Sequence, residues 1–148
     1  MKWEQARRQF MQYLTLERSL SQNSIEAYMH DLRLLEQFCE GISVSPEVVT
    51  YAQLQDFIEH LNELGMSPHS QARIISGIKS FFQFLLYDQA IEQDPTSLLE
   101  GPKLGRKLPD TLSYDEIVTL LEAIDHSKPE GQRNRAILEV LYSAGLRV

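Results

Sequence analysis

Cysteine and long hydrophobic runs are almost absent from this sequence. Cys39 is its only cysteine, so no intrachain disulfide is possible, and one thiol with four scattered histidines lacks the spacing of metal ligands. The longest apolar stretch, residues 81–87, is far below the roughly 18 residues of a membrane span. The amino terminus is charged rather than apolar, unlike a secretory signal. These absences predict a cytoplasmic protein without metal, cofactor or membrane association.

Basic residues are also scarce. The chain has 14 basic and 21 acidic side chains and a net charge of −7, which by itself disfavours binding to nucleic acid. The charge is uneven, since residues 1–100 carry 7 basic and 14 acidic side chains whereas residues 101–148 carry 7 of each. Residues 65–87 and 101–109 contain no acid. These two windows are the candidates for facing phosphates, and their basic residues are Arg73, Lys79, Lys103, Arg106 and Lys107.

Helical periodicity dominates the first hundred residues, and no stretch shows the period-two alternation of a strand. One predicted helix spans roughly residues 2–17, and a second begins after the Ser21 cap and ends at Gly41. Thr50 and Gln53 form a capping box for a third, closed by Gly65, and Ser67-Pro68 opens a fourth. The positions predicted to be buried are Trp3, Phe10, Tyr13, Leu14, Ile25, Tyr28, Leu32, Leu35, Cys39, Leu54, Phe57, Ile58, Leu61, Ile75, Ile78, Phe82 and Leu85.

The remaining chain reads as a linker and two further helices. A short helical turn is expected at Leu98-Leu99, and residues 101–112 contain glycine and proline that disfavour regular structure. Ser113 and Glu116 form a second capping box, and we expect Pro129 and Gly131 to separate that helix from a last one ending near Gly145. A pair of helices in about 36 residues buries little of its own apolar surface, so we expect it to lean on the bundle, to be mobile or to pair with another copy.

Short segments in a fixed order run along almost the whole chain. The early ones are Leu14, Leu20-Ser21-Gln22-Asn23-Ser24, Ala27-Tyr28 and Asp31-Leu32-Arg33. The later ones are Gly65-Met66-Ser67, the helix over residues 73–86, Asp94-Pro95, Pro102-Lys103, Leu108-Pro109 and Leu112-Ser113. In order and approximate spacing, these segments resemble the Xer-type tyrosine recombinases.

The carboxy-terminal stretch ends in Gly145-Leu146-Arg147-Val148. Residues 131–148 resemble the segment that carries the first catalytic arginine of these recombinases, which gives Arg147 that role. An arginine fork grips two phosphoryl oxygens at once and stabilises the charge that develops in phosphoryl transfer, so neither metal nor nucleotide is needed. The sequence departs from the family pattern at Asn134, where aspartate is usual, and at Ser143, where threonine or alanine is frequent.

The resemblance implies an all-α chain with three parts. Residues 1–100 are expected to form a four-helix SAM-like core-binding bundle, residues 101–112 a linker, and residues 113–148 the first two helices of a truncated catalytic domain. In the family, both domains clamp duplex DNA, and a tyrosine hydroxyl attacks a phosphate to give a 3′-phosphotyrosyl link. The implied partners are a double-stranded recombination site and other protomers in a tetrameric synapse, with DNA integration or chromosome dimer resolution as the outcome.

The other catalytic parts of the family are expected beyond Val148. His30-Asp31-Leu32-Arg33 fits the family's His-x-x-Arg element as a string but belongs to the bundle, and none of the six tyrosines stands in the nucleophile's context. We therefore expect the parent protein to be a DNA strand-transfer enzyme and this chain to be inactive alone.

Candidate DNA contacts fall into three groups. The polar side of the fourth helix carries Arg73, Ser76, Lys79, Ser80 and Gln83; the start of the second carries Asn23 and Ser24; the linker carries Lys103, Arg106 and Lys107. A solvated helix face, plain capping and a soluble loop are the competing interpretations. Two other functions stay open: a phage or transposon integrase, and a helical protein-interaction module that self-associates independently of salt and does not bind DNA.

Overall fold

A computed structural model of the protein describes residues 1–105 and 108–146. These residues are helical, without a strand among them, which confirms the predicted all-α class. The α-helices are α1 (Trp3–Leu16), α2 (Gln22–Gly41), α3 (Tyr51–Glu63), α4 (Pro68–Tyr87), α5 (Tyr114–Glu122) and α6 (Pro129–Ala144). A short 3-10 helix that was not predicted spans Pro46–Val48. Among the helices described, none combines the length and apolar character needed to cross a membrane.

The chain divides into two compact units, Met1–Gly105 and Arg106–Val148. The first contains α1 to α4 and the second contains α5 and α6. The predicted limits of the linker, residues 101 and 112, stay predictions.

The core of the first unit lies between α1, α2, α3 and α4. Phe10 is fully buried, and its ring centroid lies 5.4 Å from that of Phe81 and 5.5 Å from that of Phe84. On the other side of the core, Phe38 of α2 packs edge-on against Phe57 of α3. Burial raises the pKa of the Cys39 thiol to about 11. The predicted core positions are confirmed as buried, except that Tyr13, Tyr28 and Ile58 are only half-buried.

Helix starts follow the sequence closely. The Thr50 side chain accepts from the Gln53 backbone N–H while the Gln53 side chain accepts from the Thr50 N–H, which confirms the capping box. Ser21 and Ser67 cap α2 and α4 as predicted. Gly65 has φ +73°, as a left-handed helix stop requires, but after Gly41 the positive φ of 56° belongs to Ser43. The predicted stop at Gly41 therefore gives the end of α2 but not the residue that reverses the chain.

The turn expected at Leu98-Leu99 is present, but it does not extend into a helix: the Ser97 backbone N–H donates to the Asp94 carbonyl at 3.3 Å and the Leu99 N–H to the Thr96 carbonyl at 3.0 Å. Thr96 donates both its backbone N–H and its hydroxyl to Asp94 Oδ1, each at 2.7 Å. This side-chain acceptor closes a turn in place of a helix. Leu99 then enters the core while Leu98 stays 74% exposed.

In the second unit, the Ser113–Glu116 capping box is confirmed. The Ser113 backbone and hydroxyl both donate to the Glu116 carboxylate, which lowers its pKa. The expectation that Pro129 and Gly131 separate the two helices is wrong, because both lie in the first turn of α6. Proline suits the first helical position, and a Cβ on Gly131 would lie 1.8 Å from the Asp125 carbonyl oxygen. Neither α5 nor α6 has a buried residue.

Candidate nucleic-acid interface

The outer side of α4 gathers the side chains predicted to contact DNA. Positions 73, 76, 79, 80 and 83 fall within an arc of about 120° around the helix axis. Arg73, Ser76 and Gln83 are exposed, and Lys79 and Ser80 are half-buried. The opposite side of α4 is apolar and buried, with Ile74, Ile75, Ile78, Phe81, Phe82 and Leu85 in the core. The bundle thereby presents one acid-free polar face, here called the α4 face.

The start of α2 lies beside the α4 face. Ser24 lines the same surface pocket, of about 200 Å³, as Arg73 and Ser76. Ser24 also donates its backbone N–H to the Ser21 hydroxyl at 3.4 Å, so the capping interpretation is correct for Ser21. Asn23 is exposed at the second position of the helix, where backbone N–H groups have no intrahelical acceptor. Contact of Asn23 and Ser24 with phosphate stays a prediction.

The linker candidates are only partly described. Lys103 is exposed in the first unit. Arg106, Lys107 and the predicted catalytic Arg147 lie outside the described residues. Their roles stay predictions.

Asp31 is the residue of this region that the sequence patterns missed. It is 2% exposed, and Arg73 Nη1 donates to its Oδ2 at 2.7 Å. The same nitrogen lies 2.7 Å from Oδ1, but without hydrogen-bond geometry, and Oδ1 accepts no hydrogen bond from the described residues. Burial raises the pKa of the Asp31 carboxyl, and the nearby Arg73 guanidinium, which lowers it, offsets this only in part. Arg73 is therefore one half of an ion pair with a buried partner.

Gly77 makes this pairing sterically possible. A Cβ on Gly77 would lie 2.7 Å from Asp31 Oδ2, which no ordinary packing contact allows. The backbone of α4 thus passes directly over the Asp31 carboxylate. The sequence contained one signal for this arrangement. Asp31 is a charged residue within the apolar stripe of α2, and Gly77 follows it 46 positions later on the inner side of α4.

Three other arginines of the bundle gather away from the α4 face. Arg7, Arg8 and Arg33 line a pocket of about 380 Å³ between α1 and α2. Arg7 lies 3.4 Å from the Glu36 carboxylate. Positions 31 and 33 point about 160° apart around the axis of α2, so these arginines occupy the side of that helix opposite Asp31. Their separation from the α4 face makes them a matched control for the candidate interface.

Comparison with known proteins gives two results. Residues 8–89 match the family described as "Phage integrase, N-terminal SAM-like domain". The chain is 40% identical over 141 residues to proteins named "Tyrosine recombinase XerD" from Staphylococcus epidermidis and Staphylococcus saprophyticus, and 38% identical to one from Staphylococcus aureus. Each alignment covers 95% of this chain and 48% of the relative, so the chain spans about half the length of these relatives.

Proposed function

Because this chain belongs to the family of phage integrase N-terminal SAM-like domains, we propose that it is the DNA-contacting part of a Xer-like, site-specific tyrosine recombinase. The family predicted from the sequence is thereby confirmed. The observation that carries the functional proposal is the 38–40% identity, over 95% of the chain, to proteins named as tyrosine recombinases. The α4 face supports it, because α4 carries no acidic residue although residues 1–100 carry 14 acidic and 7 basic side chains.

The α4 face binds DNA through a few phosphate contacts in this proposal. Arg73 and Lys79 supply the charge, and Ser76, Ser80 and Gln83 donate further hydrogen bonds from the same side of the helix. Asn23 and Ser24 add hydrogen-bond donors at the start of α2. Lys103, Arg106 and Lys107 contact phosphates of the DNA backbone along the linker. The net charge of −7 opposes non-specific binding to DNA. Because the proposed contacts are to phosphates, we expect the affinity to fall as salt is raised, in proportion to their number.

The parent protein would act as a strand-transfer enzyme. A tyrosine hydroxyl attacks a DNA phosphate, a phosphotyrosyl bond forms at the 3′ side, and the 5′ oxygen leaves as a hydroxyl. Arg147 would hold two oxygens of that phosphate as charge develops. We further propose domains at residues 1–100 and 113–148, cytoplasmic action in a tetrameric synapse, and chromosome partition as the setting.

Fluorescence anisotropy with a labelled duplex of roughly 30 base pairs tests DNA binding, with an expected salt slope of about −0.9 per phosphate contact. The test variant is Arg73→Glu, Lys79→Glu on the α4 face. The control, Arg8→Glu, Arg33→Glu, makes the same charge change in the pocket between α1 and α2. We expect the test variant to lose binding and the control to retain most of it. Equal losses would exclude the α4 face, and no binding at low salt by the folded chain would contradict the proposal.

The chain alone is proposed to be inactive, which a nicked duplex tests separately. The purified protein is incubated with the nicked DNA and then denatured, so that only covalently joined DNA migrates with the protein. We expect no such complex. A covalent complex would contradict the proposed inactivity without affecting the binding proposal.

A further inference from the structure

Asp31 lies at a close contact between α2 and α4, where a Cβ on Gly77 would lie 2.7 Å from its Oδ2. Its carboxylate is buried between the α2 backbone and Gly77, and it reaches the surface only through Arg73. Seven residues of the two helices line the pocket above it: Ser24, Ala27, Tyr28, Asp31, Arg73, Ser76 and Gly77.

The ion pair uses only part of the Arg73 guanidinium. Nη1 donates to Asp31, whereas Nε and Nη2 have no acceptor among the described residues. The Arg73 side chain is 48% exposed, against 3% for the Asp31 side chain. The Asp31 carboxylate thus binds one edge of the guanidinium. The other donors remain available in a pocket that is also lined by Ser24 and Ser76.

We propose that Asp31 is a positioning residue for DNA binding: its buried carboxylate holds the Arg73 guanidinium in the orientation that contacts a DNA phosphate beside Ser24 and Ser76. The inference rests on the proposed function, since it assigns a phosphate to the α4 face. Asp31 itself does not touch the DNA. Because Asp31 already restricts the Arg73 side chain in the free protein, that side chain loses less conformational entropy when it binds DNA.

The cost of the arrangement to the fold supports a functional role. Burial raises the pKa of Asp31 despite the adjacent guanidinium, so the ionised carboxylate is held in an unfavourable environment. Gly77 in the middle of α4 lowers helix propensity relative to alanine. A buried ion pair of this kind is weak evidence for stability, whereas preorganisation of a ligand-binding donor gives a reason for both features.

Anisotropy across a salt series, on the whole chain, tests the inference with Asp31→Asn, Arg73→Gln and the double variant. Asp31→Asn removes a negative charge near DNA, so simple electrostatics predicts tighter binding, whereas positioning predicts weaker binding. We expect each single variant to bind about tenfold more weakly and to lose about 0.9 from the salt slope. The double variant should resemble Arg73→Gln alone, because Asp31 acts through Arg73. Asp56→Asn, on the exposed side of α3, is the control and should not weaken binding.

Tighter or unchanged binding by Asp31→Asn, or additive losses in the double variant, would overturn the inference while leaving the proposed function intact. Failure of the unmodified chain to bind DNA would overturn both. Nitrogen-15 NMR of the unmodified chain is an independent measurement should Asp31→Asn not fold. The Arg73 Nη1 protons, which are donated to Asp31, are expected to exchange with water more slowly than the Nη protons of the exposed Arg8, and equal exchange would overturn the inference.

Discussion

At the scale of single residues, Phe10 joins three helices of the bundle. Its ring contacts Tyr28 of α2 and Phe81 and Phe84 of α4, and it has no exposed surface. Its neighbour Met11 is 43% exposed on the same helix. The two positions are adjacent in the sequence, but Phe10 points into the core and Met11 points to the surface.

Phe10→Ala is expected to lower the free energy of unfolding by about 3–5 kcal/mol, because it leaves a cavity where four aromatic rings meet. Met11→Ala, the control, should change it by less than about 0.5 kcal/mol. Urea denaturation followed by circular dichroism measures both. Similar losses in the two variants would contradict the packing described for α1.

Asp31→Asn is expected to affect DNA binding and the free energy of unfolding differently. A carboxyl whose pKa is raised on folding contributes stability while it is protonated, and that contribution is lost as the pH rises through the raised pKa. Near neutral pH we therefore expect Asp31→Asn to leave the free energy of unfolding unchanged or higher. Its advantage over the unmodified chain should shrink as the pH falls through the Asp31 pKa, in urea denaturation at several pH values. A large loss of stability at neutral pH would mean that the ion pair stabilises the fold.

At the scale of the helices, side-chain caps mark where α2, α3, α4 and α5 begin, whereas α1 and α6 begin without one. Thr50, Ser113, Ser21 and Ser67 all accept a backbone N–H three residues later. These contacts are local in sequence, which is why the patterns predicted them. Thr15 offers a contrast, since its hydroxyl donates to the Met11 carbonyl inside α1.

Thr50→Ala is expected to cost about 1 kcal/mol of stability, because α3 loses its amino-terminal acceptor. Thr15→Ala removes the same hydroxyl and methyl from an exposed helix interior and should be neutral or slightly stabilising. Thermal and urea unfolding compare the two variants. Equal effects would show that the loss at Thr50 reflects the side chain itself rather than the cap.

One helix boundary was predicted incorrectly, and the details of two turns were not predicted, for a shared reason. Pro129 and Gly131 lie inside α6, with the Asp125 carbonyl oxygen beside Gly131; the Asp94 side chain accepts from Thr96 in the turn before Leu99; and Ser43 takes the positive φ beyond Gly41. Each feature depends on a particular contact or backbone angle. Residue preferences give the presence of a turn there but not which residue closes it.

At the scale of the whole molecule, the two units differ in what they bury. The first has a continuous core from Trp3 to Leu99, whereas no described residue of α5 or α6 is buried. The sequence predicted this weakness from the length of the helical pair. The structure gives each unit its own internal contacts, with α5 packed on α6.

Residues 1–105 are therefore expected to unfold cooperatively by themselves and to bind duplex DNA, and residues 106–148 alone are not expected to unfold cooperatively. Circular dichroism melts and anisotropy measure both. The salt slope of the shorter protein should fall by about 0.9 for each of Arg106 and Lys107 that contacts a phosphate. A shorter protein that does not fold would contradict the independence of the first unit.

The sequence by itself determined the helices, most of their boundaries, the apolar stripes and the family, because these depend on residues close together in the chain. It also indicated the α4 face, through the absence of acids from residues 65–87. Only the tertiary structure decided that Arg73 is paired with a buried Asp31, since 42 residues separate them and the pairing requires Gly77 at the helix crossing. Burial and close approach between helices are set by packing, which one-dimensional patterns of charge and hydrophobicity do not contain.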